Sequence, residues 1–382
     1  MPNQLRLRPS SSVFILLLVC QVLWCSCTRA SGAAYRATKL QLPPLWAFYD
    51  ASDLSQDGRA GGYIRVSNDV SPIDVPIVWD RGGVPAILPV LNEFRKSYVL
   101  GFGSDGRALG NFVVDSNDNG SPASWTSAGM TPLPHFGVGG AAFAANDTII
   151  AGETGDANLT NFVPRATLWD IATGSPQLVT GLPDLGTRIN SINSSGVYVG
   201  TSFVYSGPQF GRLGAFYGRD GTAAVMNYPG FNITRAGDIN DSNWMVGTHR
   251  PAGATVDRAY MAKAFSEEIY DLGLLAGFPG ASAQAINAEG TIVGSALAGT
   301  NVRALIWPAG ATEPIDFNTL VNLPGETLVQ CQDINNSGQI LARGFNGYYI
   351  FTPIPEPAGL ATLFAVGGAL KRRARMKTQL MH

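Results

Sequence analysis

Few residues in this chain of 382 could do chemistry, and their spacing limits what that chemistry can be. There are three histidines, His135, His249 and His382. The last lies in a terminal basic tail, and the other two stand in different repeats, which makes them polar strand-end residues. No His-x-x-x-His, Gly-x-Ser-x-Gly or Gly-rich phosphate loop occurs. General acid/base work needs two titratable groups brought together. Asp238 and Asp333 each directly precede an Ile-Asn pair in separate repeats, so they are expected to sit apart and to serve hydrogen bonding.

The sharpest metal candidate is the run Asp115, Asn117, Asn119, Gly120. Side-chain oxygens at alternate positions followed by glycine match the first half of a calcium loop, but Thr126 stands where the closing acid belongs. Asp53, Ser55, Asp57, Gly58 and Asp333, Asn335, Ser337, Gly338 repeat the spacing. Other repeats begin with Ala285, Ser191 or Gly101, so the spacing is chiefly that of a turn. Calcium at Asp115, Asn117 and Asn119 is the one cofactor the sequence admits. Of four cysteines, Cys20, Cys25 and Cys27 fall in the N-terminal apolar segment. Cys331 is then alone, which excludes a disulfide framework or a cysteine zinc site and predicts a buried strand thiol.

These residues are set in an internal repeat. INSSGVYVG (from Ile192), INDSNWMVG (Ile239), INAEGTIVG (Ile286) and INNSGQILA (Ile334) are close copies; LSQDGRAGG (Leu54), FGSDGRALG (Phe102) and AANDTIIAG (Ala144) are looser ones. Successive starts are 48, 42, 48, 47, 47 and 48 residues apart. Downstream of each start lies a short apolar run ending at Trp79, Trp125, Trp169, Tyr217, Phe265, Trp307 or Phe351. Such recurrence argues for packing between neighbouring sheets rather than sugar stacking. Asn-x-x-Gly between two β-prone runs is hairpin chemistry, because both residues tolerate the positive φ of tight turns.

Each unit therefore supplies four short antiparallel strands, the content of a propeller blade. The last copy meets Pro353, Pro355 and Pro357 before its fourth strand, and prolines cannot continue a central strand. YRATKLQL, from Tyr35, is an unassigned β-like stretch that can fill the gap. The expected fold is all-β, a seven-bladed β-propeller of four-stranded antiparallel blades, the ring closed by an N-terminal strand. The alternative is an open β-solenoid-like stack.

The two ends carry addresses. Arg6 and Arg8, the apolar run Val13 to Trp24 and small residues ending at Ala30 make a secretory signal peptide over 1–30. The repeat domain follows over 31–352, and the tail occupies 353–382. The tail's Pro355, Glu356 and Pro357 lead into an apolar run and then Lys371, Arg372, Arg373 and Arg375, a basic cluster expected on the cytoplasmic side of a membrane. In that order these elements resemble the PEP-CTERM sorting signal of bacterial exported proteins. The resemblance implies recognition by an exosortase-type membrane enzyme after signal peptidase has acted, and transient membrane anchoring through the tail. The unit from Asp271 (DLGLLAGFPGASAQAINAEGTIVG) through RALIW is similar to the HAF family of extracellular repeats, which implies secretion and β-repeat architecture without assigned catalytic residues.

With a net charge of -2, no basic field points to nucleic acid. The reading is an exported cell-surface or extracellular-matrix-associated β-propeller, a non-catalytic binding or structural module for extracellular polysaccharide or a surface protein. The alternative is a polysaccharide-acting propeller enzyme. Loops joining second to third strands vary most in length, and loops of that kind usually carry recognition. Ligand contacts are accordingly expected at Asn68, Asp69, Tyr205, Arg212, Arg250 and Arg258.

Overall fold

The computed structural model describes residues 34–43, 48–66, 73–90, 96–113, 120–156, 162–182, 186–203 and 213–355. The expected signal peptide lies outside them. So do Asn68, Asp69, Asp115, Asn117, Asn119, Tyr205, Arg212, Glu356, Pro357, Arg372, Arg373 and Arg375. Among the described residues no helix is long and apolar enough to cross a membrane.

Each repeat folds into four antiparallel strands. The sixth shows the plan: Gly280–Ile286, Ile292–Ala298, Asn301–Trp307 and Ile315–Asp316 lie side by side in chain order. A single parallel pairing of Asp74 with Lys96 joins the first two repeats into one eight-stranded sheet. In the last repeat three strands, Leu328–Ile334, Ile340–Gly344 and Gly347–Pro353, follow one another. The fourth is Tyr35–Lys39 from the start of the chain, paired antiparallel with the third from Tyr35 opposite Pro353 to Lys39 opposite Tyr349. Ala34 N donates to Leu320 O, Ile354 N donates to Ala34 O, and the Tyr35 ring meets Phe317 edge-on at 5.1 Å.

The first strand of every repeat carries a β-bulge. Register shifts occur between Ala51 and Asp53, Val99 and Gly101, Ala142 and Ala144, Ile189 and Ser191, Ala236 and Asp238, Ala283 and Ala285, and Cys331 and Asp333. The residue just before each bulge is buried against the neighbouring sheet. In most repeats it is small, and in the last it is Cys331, which explains the lone thiol. In the repeats before the last, which has Ala342, the facing residue of the second strand is a glycine needed for close approach. A Cβ at Gly110 would lie 1.8 Å from Tyr98 O, and one at Gly294 would lie 1.9 Å from Ser282 O.

In the turn that follows, the closing residue and not the leading asparagine takes the positive φ. The glycine does so, with φ 79° at Gly196 and 86° at Gly290, and Asn243 replaces it in the fifth repeat with φ 63°. In the third repeat this turn is one residue shorter, closing Asn146 N on Ile149 O where the fourth closes Asn193 N on Val197 O. The third copy therefore begins in register at Ala145 rather than Ala144.

The aromatic series packs as expected in five repeats. Trp79, Trp125, Trp169, Trp307 and Phe351 are at most 2% exposed. Each indole Nε1 donates to a carbonyl in the linker entering its own repeat: Trp79 to Gln41 O, Trp125 to Pro89 O, Trp169 to Pro134 O and Trp307 to Leu272 O. A buried Trp N–H needs such a partner. Two repeats depart from the pattern. Strand pairing puts Gly218, not Tyr217, in the fourth repeat's column, and the buried Tyr198 ring fills the space where a Gly218 Cβ would come within 2.6 Å. In the fifth the column holds Ala262, while Phe265 sits in the next turn, 58% exposed with φ 59°.

Candidate functional site

The bulged first strands of the repeats face a common space. Their outward-alternating side chains, together with the turns that follow, line a cavity of about 500 Å³. Its rim is a belt of asparagine amides. Asn146 Nδ2 donates to Asn193 O, Asn193 to Asn240 O, Asn240 to Asn287 O, and Asn287 to Asn335 O, at 3.1, 3.0, 3.0 and 3.5 Å. Asn335 continues to Ser55 O at 3.1 Å. The side-chain oxygen of each also holds its own turn; Asn240 Oδ1 accepts from Ser242 N and Trp244 N, both at 3.0 Å. The asparagine is thus a clasp between repeats.

Below the belt, the bulges turn backbone N–H groups away from their ladder, and aspartates of the preceding repeat receive them. Asp333 Oδ2 accepts from Leu54 N at 2.7 Å, Asp53 Oδ2 from Phe102 N at 2.8 Å, and Asp238 Oδ2 from Ile286 N at 2.8 Å. The remaining oxygen of Asp238 accepts from Ile239 N and Ser191 Oγ, and that of Asp333 from Ile334 N. Asp238 and Asp333 thus serve hydrogen bonding, as expected, while Asp53 was read from the sequence only as part of a turn. Asp333 and Asp53 stand in the last and first repeats, yet their carboxyl groups are near enough to act on each other. Burial first and Asp333 second hold the Asp53 carboxyl well above the usual range. Burial, then Asp333, pushes Asp238 up to about 6. Two carboxyls brought together could suggest acid catalysis. Here the oxygens are occupied by main-chain donors, so the pair acts as a clamp on the bulges.

Arg188 and Arg235 stand on the same wall, each four residues before its repeat's Ile-Asn pair. Arg235 Nη1 donates to Gln284 Oε1 at 2.7 Å, and Gln284 Nε2 donates to Ser282 Oγ at 2.8 Å. The Arg188 guanidinium carbon lies 5.5 Å from the centroid of the Phe143 ring. Burial and then the positive charge of Arg188 lower the Arg235 pKa. Glu153 also feels Arg188, but burial dominates and pushes its carboxyl up to about 7.

Of the sequence-predicted contacts, Arg250 and Arg258 fall among the described residues. Arg250 Nε pairs with Asp257 at 2.7 Å, and Arg258 with Asp271 at 3.1 Å. Asp271 also meets His249 Nε2 at 3.0 Å. This cluster lies at the opposite end of the strands from the asparagine turns. His135 is exposed and contacts Gly137 O and Ser121 Oγ. In the two calcium-like runs that are described, the oxygens serve the turn. Ser55 Oγ donates to Asp57 at 2.5 Å, Asp57 pairs with Arg59, and Asn335 Oδ1 accepts from Ser337 N and Gln339 N. No group of three or more metal-ligating side chains occurs among the described residues. Sequence reasoning missed Arg188 and Arg235. Aligning the repeats column by column would have exposed two adjacent arginines at one offset from the Ile-Asn pair.

The fold and the ring of bulged first strands define a β-propeller, and solved structures agree. The chain is similar to the β-propeller domain of the Trilobed protease from Pyrococcus furiosus, which has an open velcro topology, at 10% identity and TM-score 0.54 over 80% of this chain and 93% of that one. It is also similar to an oligogalacturonate lyase in complex with manganese, at 12% identity and TM-score 0.52 over 85% and 94%. A third is YCF48 bound to D1 peptide, at 11% identity and TM-score 0.50 over 86% and 100%. At such identities the likeness is one of fold. No family model matches the chain, and no curated protein matches it.

Proposed function

We propose that this chain is an exported, envelope- or matrix-associated binding module: a seven-bladed propeller, its ring closed by the N-terminal strand Tyr35–Lys39, with no catalytic role. Export rests on the signal-like segment 1–30 and the tail. Pro355, Glu356 and Pro357 with Arg372, Arg373 and Arg375 would present that tail to an exosortase-type enzyme. Support for the closed ring comes from the hydrogen bonds of Asn335 Nδ2 to Ser55 O and of Leu54 N to Asp333 Oδ2, together with the pairing of Tyr35–Lys39 against Gly347–Pro353, which join the two ends of the repeat array.

One observation carries the binding reading. The cavity's acids are occupied inside the protein: Asp53, Asp238 and Asp333 accept from main-chain N–H groups and Asp147 from Ser104 Oγ. A propeller glycosidase or lyase would keep its acids free to exchange protons with substrate. The test is a glycan and matrix pull-down with the purified chain, followed by product analysis. Retention of a polysaccharide or surface protein without new chain ends is the expected result. Steady cleavage that disappears on changing Asp53 and Asp333 to Asn would establish the enzyme instead.

A further inference from the structure

We propose that Phe265, flanked by Tyr217 and Arg219, is a sugar-stacking platform, and that it takes a neutral pyranose unit with equatorial hydroxyls from an extracellular polysaccharide. This rests on the binding-module reading and specifies its ligand.

The argument begins with the two aromatics that leave the packed series. Tyr217 and Phe265 stand in neighbouring repeats, and their rings meet at 5.0 Å between centroids with planes at 84°. The Arg219 guanidinium carbon lies 5.7 Å from the Phe265 centroid. Phe265 is 58% exposed, so at least one face of its ring is open to solvent. Its backbone carries a second sign. In the turns between third and fourth strands, Gly83, Gly129, Gly174, Gly221 and Gly310 take positive φ; in the fifth repeat Phe265 does so, at 59°. Glycine adopts that region freely, whereas a bulky side chain there is strained. A strained residue that buries little points to a role outside the fold.

The surroundings define the ligand. Ala264 N donates to Asn243 O and Lys263 N to Glu268 O, both at 2.9 Å, which fixes the turn before a ligand arrives. Arg219 Nη2 donates to Ser195 Oγ at 3.3 Å. Asn243 and Ser195 belong to the asparagine turns, so the platform lies at that end of the strands. Arg219 has no ion pair and the Tyr217 hydroxyl no hydrogen-bond partner among the described residues, which leaves both for hydroxyls beside the phenyl ring. Asp220, Glu267 and Glu268, exposed and adjacent in sequence, outnumber Arg219 and disfavour a polyanion. An apolar protein segment would leave these polar groups unanswered. A pyranose with equatorial hydroxyls meets both demands. Its faces present C–H groups to the negative face of the phenyl ring, and its rim presents hydroxyls to the polar groups around it.

The experiment is calorimetric titration of the full chain with cellohexaose and with its C6-oxidised counterpart, hexaglucuronate. Cellohexaose is expected to bind, and the acid more weakly. Phe265→Gly should weaken cellohexaose binding about tenfold, the scale of one aromatic contact, with little change in thermal midpoint. Phe265→Leu, apolar but without an aromatic face, should show the same loss and replaces the glycine variant if that one fails to fold. Undiminished binding by these variants overturns the platform, and tighter binding of hexaglucuronate overturns the neutral-sugar assignment. If the wider pull-down retains a protein through Phe265, the sugar assignment falls as well. If neither sugar binds while the pull-down retains another polymer, the proposal falls and the binding-module reading stands. If nothing is retained in either experiment, both fall.

Discussion

Asn335 donates its side-chain amide to the carbonyl oxygen of Ser55, a residue 280 positions earlier, at 3.1 Å. The same bond recurs between consecutive repeats from Asn146 onward, so the last repeat treats the first as its successor. One residue type thereby does two tasks: its oxygen ties its own turn and its nitrogen ties the next repeat. The second task leaves no trace in a single copy of the motif and is visible only in the pairing of copies.

Replacing Asn240 by Ala should therefore cost more than a turn residue normally does. It removes the buried donor to Asn287 O and takes from Ser242 N and the half-buried Trp244 N their acceptor. Each stranded buried group costs about 1–3 kcal/mol, so a loss of about 2–4 kcal/mol is expected in urea unfolding. Asn301→Ala, at an exposed strand end, should stay within about 0.5 kcal/mol. Similar losses at the two positions would mean that the belt does not hold the repeats together.

Phe265 and Trp307 occupy matching places in the sequence and different ones in space. Trp307→Ser should destabilise by about 3–5 kcal/mol, since it empties a core site and strands Leu272 O. Phe265→Ser should cost about 1 kcal/mol or less. What it loses is an edge-on contact with Tyr217 and the neighbouring Arg219 charge. Thermal denaturation of the two variants decides the matter, and a large loss at Phe265 would restore the register suggested by the sequence.

Much of the architecture was legible because each repeat must bury the same face. The spacing of the Ile-Asn pairs and of the tryptophans requires copies of one unit, and the missing fourth strand before Pro353 requires a strand from elsewhere. What stayed hidden depends on relations between repeats. Two acids at the same offset look distant along the chain, yet Asp53 and Asp333 meet because the termini meet. Arg188 and Arg235 gain meaning only when first strands from neighbouring repeats share a wall. Tyr217 and Phe265 were misplaced because Tyr198 and Ala262 fill the column in ways that a count of residues after the Ile-Asn pair does not reveal.

The tail should matter for location alone. The described sheets end at Pro353, and Ile354 N closes on Ala34 O without any residue beyond Pro355. Deleting Ala358 to His382 is expected to leave a folded chain with the same near-ultraviolet circular dichroism, released from the membrane fraction. Aggregation of the truncated chain on expression would show that the tail belongs to the fold.

The carboxyl pair at the join of first and last repeats should make stability depend on pH in a distinctive direction. An unfolded aspartate has its ordinary pKa of about 3.9. In the folded chain Asp53 lies well above that value and Asp238 at about 6. Between these limits the folded state holds protons that the unfolded state has released, so stability falls as pH rises through the window. The contribution is fully present below about pH 4 and is lost as pH passes the raised folded values. Carboxyls held low by their partners, such as Asp57 and Asp105, act in the opposite sense and below this window. Asp53→Asn separates the effects. The amide has no proton to lose in this window, and its oxygen can still accept from Phe102 N. Urea midpoints measured at pH 4.5 and pH 7 should differ less for this variant than for the parent chain, and the pH 7 midpoint should equal or exceed the parent's. A variant that keeps the full pH slope, or that loses stability at pH 7 as a broken ion pair would, rules out a raised Asp53 carboxyl as the source of the slope.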